Sequence, residues 1–281
     1  MDARAAEGVM TSREIAVAMM KLGAVSMRDH MLGDPLLTPR LGLRVARVRG
    51  LWCFSSRALD AEVFNHVSGY GTFADAAQVA VDAVLRHYDR VGRPARIEVI
   101  HPVVSRSDRA LLERNGFRDT KTLFQTHIRT TLRPPRPHAV ADFAPVRATA
   151  RDAARYARLA TAGFGGGHSV IGDVFERGWT RQIERDRRVA AFMGMLRDRP
   201  VASGVIILRP TIAGLYSGSV LPRYRGRGLQ NAMIAARVAF GWSRGLRTFY
   251  SWSDPDNSSA RNLRDEGFRT RFEVHMYERG A

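Results

Sequence analysis

The sequence contains a single cysteine, Cys53, among 281 residues. One cysteine excludes an intrachain disulfide and any metal site that needs several thiolates, and such usage is typical of proteins in a reducing compartment. Cys53 lies in the apolar stretch GLWCFSS, so we expect a buried side chain rather than a nucleophile. We expect no metal ion.

Long apolar runs are also absent. Nowhere do 18 uncharged apolar residues follow one another, so the sequence predicts no membrane span and no membrane partner. The N-terminal stretch MDARAAEGVMTSREIAV carries acidic residues and lacks a long apolar core, which argues against a signal peptide. Together these absences predict a cytoplasmic protein.

Lysine is nearly absent as well, since Lys21 and Lys121 are the only two, yet the net charge is +17. Arginine binds phosphate through two parallel hydrogen bonds, so a polyanionic ligand is one interpretation. Arginine in place of lysine is also what a GC-rich coding sequence produces, with no functional meaning. The arginines are scattered over both halves rather than clustered with aromatic residues, so we expect no nucleic-acid partner.

The remaining composition is that of a globular protein, with 45% hydrophobic and 25% charged residues, and the length suits two domains. The clearest break is TTLRPPRPHA at 130–139, where three prolines in four positions exclude helix and interior strand. We therefore expect a first domain at 1–129, a proline-rich linker at 130–138 and a second domain at 139–281.

The same order of elements appears on both sides of this linker. A helical pattern, a strand-like segment, a shorter helical pattern and a second strand-like segment follow one another twice. Glycines and prolines punctuate both series at offsets of 151 to 153 residues, which indicates a duplicated fold. The matched positions are Gly92 and Gly245, Pro102 and Pro255, and Gly116 and Gly267. Strands alternating with helices predict a mixed α/β (α+β) class.

The segment PRYRGRGLQ at 222–230 connects a strand-like GLYSGSV to a helical QNAMIAARVAF. Gly226 and Gly228 allow backbone N–H groups to point toward a ligand without interference from Cβ atoms. The N-terminus of the following helix adds free amides and a positive dipole end, so this segment predicts a phosphate or pyrophosphate site. A tight turn with its arginines in solvent is the alternative.

The stretch VLPRYRGRGLQ resembles the acetyl-coenzyme A signature of the GCN5-related N-acetyltransferases (GNAT), which reads Gln/Arg-x-x-Gly-x-Gly/Ala. Arg223, Gly226 and Gly228 fill the signature positions, and Val220 and Pro222 also match. The resemblance covers the second half well and the first half weakly. It implies two tandem GNAT-like domains, each with a mixed, mostly antiparallel twisted sheet flanked by helices.

The resemblance also implies a set of residues that bind acetyl-coenzyme A (acetyl-CoA), the co-substrate. Backbone amides of the glycine loop would hold the pyrophosphate, and the last part of the preceding strand would separate from its neighbour to receive the pantetheine arm. An N–H near the end of that strand would polarise the thioester carbonyl. Asn257 would bind the coenzyme at the start of the next helix, or only cap that helix. The implied residues are Val220, Arg225, Gly226, Arg227, Gly228, Leu229 and Asn257.

The catalytic residues are less clearly indicated. Many family members place a tyrosine on the last helix as the acid, whereas this sequence reads ARNLRDEGF, with Leu263 and Arg264 there. The preferred base is His168, because the resemblance places its loop beside the acceptor site. Further candidates that act directly or through water are Asp254, Glu176 and His275, and Ser219 is a further catalytic candidate.

The first half departs further from the signature. It reads FNHVSGYGTFADAAQ at the equivalent point, with Gly69 and Gly71 but without the proline and arginines of the loop. We expect a degenerate copy that does not bind acetyl-CoA, braces the second half and closes its acceptor groove. A pyrophosphate cradle made by amides alone is the alternative.

The function predicted from these features is transfer of an acetyl group from acetyl-CoA to an amine by direct attack in a ternary complex. The acceptor is a small metabolite, an antibiotic or a protein amine, and the chain is expected to be a monomer or a homodimer. Two other classes stay open. One is a non-catalytic acyl-CoA sensor, since no acid or base is obvious, and the other is a basic nucleic-acid-binding module.

Overall fold

The structure is a computed structural model that describes residues 10–165, 169–255 and 257–279. The helices in these residues are α1 (Ser12–Leu32), α2 (Leu37–Arg40), α3 (Gln78–Val91), α4 (Arg106–Arg114), α5 (Ala153–Gly163), α6 (Val170–Arg185), α7 (Leu229–Ser243) and α8 (Ser258–Asp265). The strands are β1 (Leu43–Val48), β2 (Leu51–Ser56), β3 (His66–Ser68), β4 (Arg96–His101), β5 (Phe117–Thr130), β6 (Phe143–Arg147), β7 (Val189–Leu196), β8 (Arg199–Leu208), β9 (Ala213–Val220), β10 (Thr248–Ser253) and β11 (Arg269–Arg279). None of the helices in the described ranges combines the length and the apolar character that crossing a membrane requires.

The strands form one eleven-stranded sheet in the order β1-β2-β3-β4-β11-β5-β10-β9-β8-β7-β6. Most neighbours are antiparallel, and the parallel pairs are β3 with β4 and β9 with β10. The predicted α/β class with a mixed, mostly antiparallel sheet flanked by helices is therefore confirmed. The two units do not keep separate sheets, because their strands join edge to edge.

The two halves repeat one arrangement. Strand β2 pairs antiparallel with β3, which lies parallel to β4, and strand β8 pairs antiparallel with β9, which lies parallel to β10. A long helix connects each parallel pair, α3 in the first half and α7 in the second. A parallel pair needs such a crossover, so the duplicated order of elements in the sequence reflects a duplicated unit.

The last strands of the two halves are exchanged at the centre of the sheet. Strand β5 ends the first half but pairs with β10, from Thr248 opposite Thr130 to Ser253 opposite Gln125. Strand β11 ends the second half but pairs with β4, from Glu273 opposite His101 to Glu278 opposite Arg96. The two exchanged strands also pair with each other along most of their length. Each half therefore completes the sheet of the other.

Side chains tie the exchanged strands together. His127 on β5 is fully buried. One hydrogen bond joins its Nε2 to Ser253 Oγ on β10 (2.7 Å), and another joins its Nδ1 to Thr270 Oγ1 on β11 (3.1 Å). Burial lowers the pKa of His127 to about 4, so the ring is neutral at pH 7 and needs no counter-ion.

Helices of the two halves also pack against each other. Gly178 on α6 lies so close to His30 on α1 that a Cβ there would come within 2.5 Å of the ring. Gln182 on α6 is hydrogen-bonded to His30 Nδ1 (3.0 Å), and Arg177 is paired with Asp34 (3.1 Å). The helical layer, like the sheet, is shared between the halves.

The strand exchange predicts that the second half does not fold alone. A fragment of residues 136–281 lacks β4 and β5, which are the sheet partners of β11, and it leaves β10 with an open edge. Unpaired edges and uncovered apolar surface promote aggregation. We expect this fragment to aggregate in size-exclusion chromatography, and co-expression with residues 1–135 to restore a soluble complex. A monodisperse, folded fragment 136–281 would contradict the exchange.

Candidate coenzyme-binding site

A groove of about 570 Å³ opens in the second half, between the end of β9, the glycine loop and the starts of α7 and α8. Its walls combine backbone of the loop with polar side chains of the two helices. The lining includes Gly163, Phe164, Gly218, Ser219, Val220, Tyr224, Arg225, Gly226, Gly228, Leu229, Gln230, Asn231, Asp254, Asn257, Ser258, Ser259, Arg261 and Asn262. The groove thus brings together most of the residues that the sequence singled out.

The start of α7 presents free amides to this groove. Gly228 is the N-cap of the helix, with a left-handed φ of 74°, and it has no side chain to cap the first turn. Gly226 is also left-handed, with φ 75°. The amides of residues 226–231 have no backbone carbonyl acceptor among the described residues. An uncapped helix N-terminus preceded by open loop amides is an anion-binding arrangement.

The loop arginines take two different positions. Arg225 donates from Nε to the Val220 carbonyl (3.1 Å) and from Nη2 to the Gly163 carbonyl (3.0 Å), so it fastens the loop to the ends of β9 and α5. Arg223 and Arg227 are exposed and lie over the ring of Tyr224, with their guanidinium carbons 4.9 and 5.7 Å from its centroid. Arg225 therefore holds the shape of the loop, and the other two add positive charge outside it.

Strands β9 and β10 separate beside the groove. They pair only at three positions, the last of which is Leu215 opposite Ser251, although both strands continue beyond them. The Leu221 amide donates to Val201 on β8 (2.9 Å). Because successive amides of a strand point to opposite sides, the Val220 amide faces the gap rather than β8. The gap is the separation that the resemblance implied.

A β-bulge in β9 begins this separation. Ser203 lies opposite Ser219 and Val205 opposite Tyr216, so Gly204 alone faces two residues of β9. The first of these two residues, Ser217, has a positive φ of 46°.

A buried arginine holds the bulge in place. Arg237 on α7 is only 2% exposed, and no carboxylate pairs with it within the described ranges. Its Nη1 donates to the carbonyls of Tyr216 (3.2 Å) and Val205 (3.3 Å), and its Nε donates to Met233 (2.9 Å). Burial lowers the pKa of Arg237 to about 10, so the charge is retained at pH 7.

Two glycines provide the room for this guanidinium. A Cβ at Gly204 would lie 2.7 Å from Arg237 Cζ, and one at Gly218 would lie 3.2 Å from Arg237 Nη2. Sequence reasoning missed this residue. The available signal was a single arginine within the apolar helical run NAMIAARVAF, which a surface position does not explain.

Three of the predicted polar residues lie in the groove. Ser219 is buried, with a hydrogen bond between its Oγ and Ser203 Oγ (2.8 Å). Asp254 is exposed at the end of β10. Asn257 caps α8 by accepting from the Ala260 amide (2.9 Å), so the capping role proposed for it is present, at a position that also lines the groove.

Neither Glu176 nor His275 lines this groove. His168 lies outside the described residues. Glu176 is half-buried on α6 and does not line the groove. His275 lies on β11, between β4 and β5 of the first half. Its Nδ1 is hydrogen-bonded to Asp119 (2.8 Å), and its ring stacks on that of His101 at 4.0 Å between centroids.

Three tyrosines lie near β9, and they differ in exposure. Tyr216 and Tyr250 are hydrogen-bonded to each other through their hydroxyls, and burial raises the pKa of both. Tyr224 lines the groove itself. Helix α8 places Leu263 in the core, and Leu263 and Arg264 occupy the neighbourhood for which the resemblance implied a tyrosine acid.

A second cavity of about 340 Å³ adjoins the groove, between α5, α6 and the bulge of β9. Phe164 lines both cavities, and Ser217 of the second is next to Gly218 of the first. The lining of the second cavity is Ala160, Thr161, Phe164, Ser169, Ile171, Gly172, Phe175, Trp179 and Ser217.

The equivalent loop of the first half is filled with side chains. A Cβ at Gly69 would lie 2.2 Å from the Phe73 ring, and one at Gly71 would lie 2.9 Å from Val104. Tyr70, between these glycines, is buried and donates to the Asp108 carbonyl (2.9 Å). In the second half, by contrast, no atom lies within 4 Å of a Cβ added at Gly226, and one added at Gly228 would only reach ordinary contact with His138 (3.4 Å) and Val140 (3.7 Å).

Comparison with known proteins rests on structure alone. No protein-family model matches the sequence. No curated protein matches it either. Among solved structures, a GCN5-related N-acetyltransferase from Kribbella flavida superposes with a TM-score of 0.64 at 13% identity, covering 95% of this chain and 96% of that protein.

Two further structures extend this likeness. A tandem GNAT protein from the clavulanic acid biosynthesis pathway has a TM-score of 0.61 at 12% identity, with 77% of this chain and 75% of that one covered. A GNAT-family acetyltransferase from Colwellia psychrerythraea has a TM-score of 0.55 at 13% identity, with 97% and 98% covered. These identities are too low to carry an activity, but they establish the architecture: this chain has the tandem fold of the GCN5-related N-acetyltransferases.

Proposed function

We propose that the protein is an acetyl-CoA-dependent N-acetyltransferase whose catalytic site lies in residues 139–281. The observation that carries this proposal is the row of amides at 226–231, which have no backbone acceptor among the described residues, beside the separated ends of β9 and β10. Amides at a helix N-terminus suit a pyrophosphate, and the gap between the strands suits an extended arm. A groove with both features fits a coenzyme A thioester better than a free phosphate.

The residues of the groove divide the work of binding. Amides from Arg225 to Leu229 hold the pyrophosphate, and Arg227 adds charge outside it. The Val220 amide, which faces the gap, donates to the oxygen on which negative charge develops. Asn257 and its neighbours at the start of α8 contact the coenzyme. When bound, acetyl-CoA supplies the activated acetyl group, and Arg237 fixes the strand that receives it.

Proton transfer is assigned to few groups. Asp254 is the only carboxylate in the described lining of the groove, and we propose that it accepts the amine proton directly or through water. Ser219 is hydrogen-bonded to Ser203 and contributes a hydroxyl near Val220. His168, the base preferred from the sequence, lies outside the described residues and stays a prediction. The leaving thiolate is stable enough to depart without a tyrosine acid.

A second candidate function is acyl-CoA binding without turnover. The observation in its favour is that the described groove lining holds one exposed carboxylate and no imidazole. Such a protein would bind acetyl-CoA with the same residues but release no thiol with any amine. The two candidates therefore differ in turnover, not in coenzyme affinity.

The first half is proposed to brace the catalytic half rather than to bind coenzyme. Its glycine loop is filled by Phe73 and Val104, and it supplies β5 to the edge of β10. We propose that the linker at 130–138 separates the two duplicated units in the sequence. In the sheet the units are not separate, because β5 and β11 each pair with strands of the other unit.

We expect Gly228→Val to weaken acetyl-CoA binding at least tenfold, about 1.4 kcal/mol, in calorimetric titration. A residue with a Cβ strains this left-handed N-cap and displaces the loop amides that would hold the phosphate, and the added Cβ would lie 3.4 Å from His138 Nε2 and 3.7 Å from Val140. The matched control is Gly245→Val at the other end of α7, where φ is 88° and no atom lies within 4 Å of an added Cβ. Both variants carry the backbone strain of a left-handed residue, but only the first touches the groove.

Thiol release with a panel of amines tests turnover in the same samples. Release by the wild-type protein and Gly245→Val, with loss in Gly228→Val, is the expected result. Equal coenzyme affinity in a folded Gly228→Val protein would contradict the phosphate site. Tight binding with no release by any amine would favour the acyl-CoA sensor.

We expect Arg237→Met to reduce acetyl-CoA affinity at least tenfold, because the bulge carbonyls of Tyr216 and Val205 lose their donor and β9 loses its separation from β10. Arg247→Met is the control, since its Nη1 also bonds two carbonyls, those of Trp242 (3.1 Å) and Leu246 (2.9 Å), away from the groove. Circular dichroism would establish folding of both variants. Unchanged affinity in a folded Arg237→Met protein would show that Arg237 is not needed to shape the coenzyme site.

A further inference from the structure

The second cavity is made almost entirely of apolar surface. Phe164 and Ile171 are 65% and 38% exposed, which is unusual for side chains of this size, and both line it. Trp179 and Phe175 form the deeper wall. Exposed aromatic and aliphatic side chains around a concave surface indicate a ligand with an apolar body.

Charge argues in the same direction. None of the described residues lining this cavity carries a charge, and its polar side chains are those of Thr161, Ser169, Ser217 and, at the indole N–H, Trp179. A cationic amine entering it would lose hydration without gaining a carboxylate partner. The net charge of +17 adds a long-range repulsion for cations. The cavity therefore selects against amines that are protonated at pH 7.

Nucleophilicity imposes a matching condition. An amine attacks only through its free electron pair, so a protonated alkyl amine needs a base first. An amine on an aromatic ring is neutral at pH 7, because its conjugate acid is far more acidic than an alkylammonium ion. Among the described residues that line the adjoining groove, the only carboxylate is that of the exposed Asp254. A site in which one exposed carboxylate is the described general base favours an amine that is neutral at pH 7.

We propose that the acceptor is a small, weakly basic aromatic amine, with its ring between Phe164, Ile171 and Trp179 and its nitrogen directed past Ser217 to the groove. This inference rests on the proposed acetyltransferase function. The nitrogen electron pair forms a bond to the acetyl carbon, and the carbon–sulfur bond breaks with its electron pair on sulfur. The proton lost by nitrogen passes to Asp254, directly or through water, and from there to the thiolate, so the products are an aryl amide and a free thiol.

The test compares 2-naphthylamine with its saturated counterpart decahydro-2-naphthylamine, which has a similar shape but is cationic at pH 7. We expect kcat/KM, followed by thiol release, to be at least tenfold higher for the aromatic amine. Its rate should also change little between pH 6 and pH 8, whereas the rate with the saturated amine should rise with pH. A preference for the saturated amine at pH 7 would overturn the proposal.

Two variants locate the effect in this cavity. Ile171→Ala should lower kcat/KM for 2-naphthylamine without changing acetyl-CoA affinity. Thr161→Asp, which places a carboxylate in the wall, should shift the preference at least tenfold toward the cationic amine. Leu132→Ala is the control, since Leu132 is 67% exposed in the linker region and distant in sequence from both cavities. Equal effects in the control and in Ile171→Ala would overturn the assignment.

Binding separates failure of this inference from failure of the proposed function. Calorimetry with the full chain saturated with free coenzyme A measures the affinity for each amine without turnover. Selective binding of 2-naphthylamine that Ile171→Ala weakens, in a protein that releases no thiol, would support the cavity but contradict the transferase. Thiol release only with amines that are cationic at pH 7 would support the transferase and overturn the aromatic acceptor.

Discussion

The pairing of β5 with β11 at the centre of the sheet is the constraint on which the rest of the structure depends. These strands end the two halves of the chain, yet each lies against the other half, β5 beside β10 and β11 beside β4. The second half, cut from this protein, would lack the strand that covers the edge of β10. The first half can therefore lose its own ligand site and still be required for the fold of the second.

The groove depends in turn on one local irregularity in β9. A bulge at Ser217 follows the last pair with β10, at Leu215. Arg237 on α7 donates to the Tyr216 carbonyl beside this bulge and holds it in place. A buried cation without a carboxylate partner is costly, and three carbonyl acceptors offset part of that cost. Because the same helix carries Arg237 and the free amides at its N-terminus, strand separation and phosphate site are set by one element.

Features that depend on residues close together in the chain could be predicted from the sequence. Gly226 and Gly228 mark a loop that only a left-handed backbone explains, and the matched glycines and prolines of the two halves reveal the duplication. Strand exchange leaves no such signal in the sequence. Side chains of β5 and β11 point alternately to the two faces of the sheet, and this alternation is the same whichever strands lie beside them. The role of Arg237 and the apolar cavity around Trp179 depend on contacts between residues far apart in the chain. The position of His275 could not be predicted for the same reason, since it lies on an exchanged strand and is hydrogen-bonded to Asp119 on β5.

The central claim is that one coenzyme binds per chain, at the open glycine loop of the second half, while Phe73 and Val104 fill the loop of the first. Calorimetric titration of the full-length protein with acetyl-CoA tests this most directly. We expect a stoichiometry near one, and no remaining binding when Gly226 and Gly228 are both replaced by valine in a folded protein. A stoichiometry near two, or one site that survives this double substitution, would contradict it.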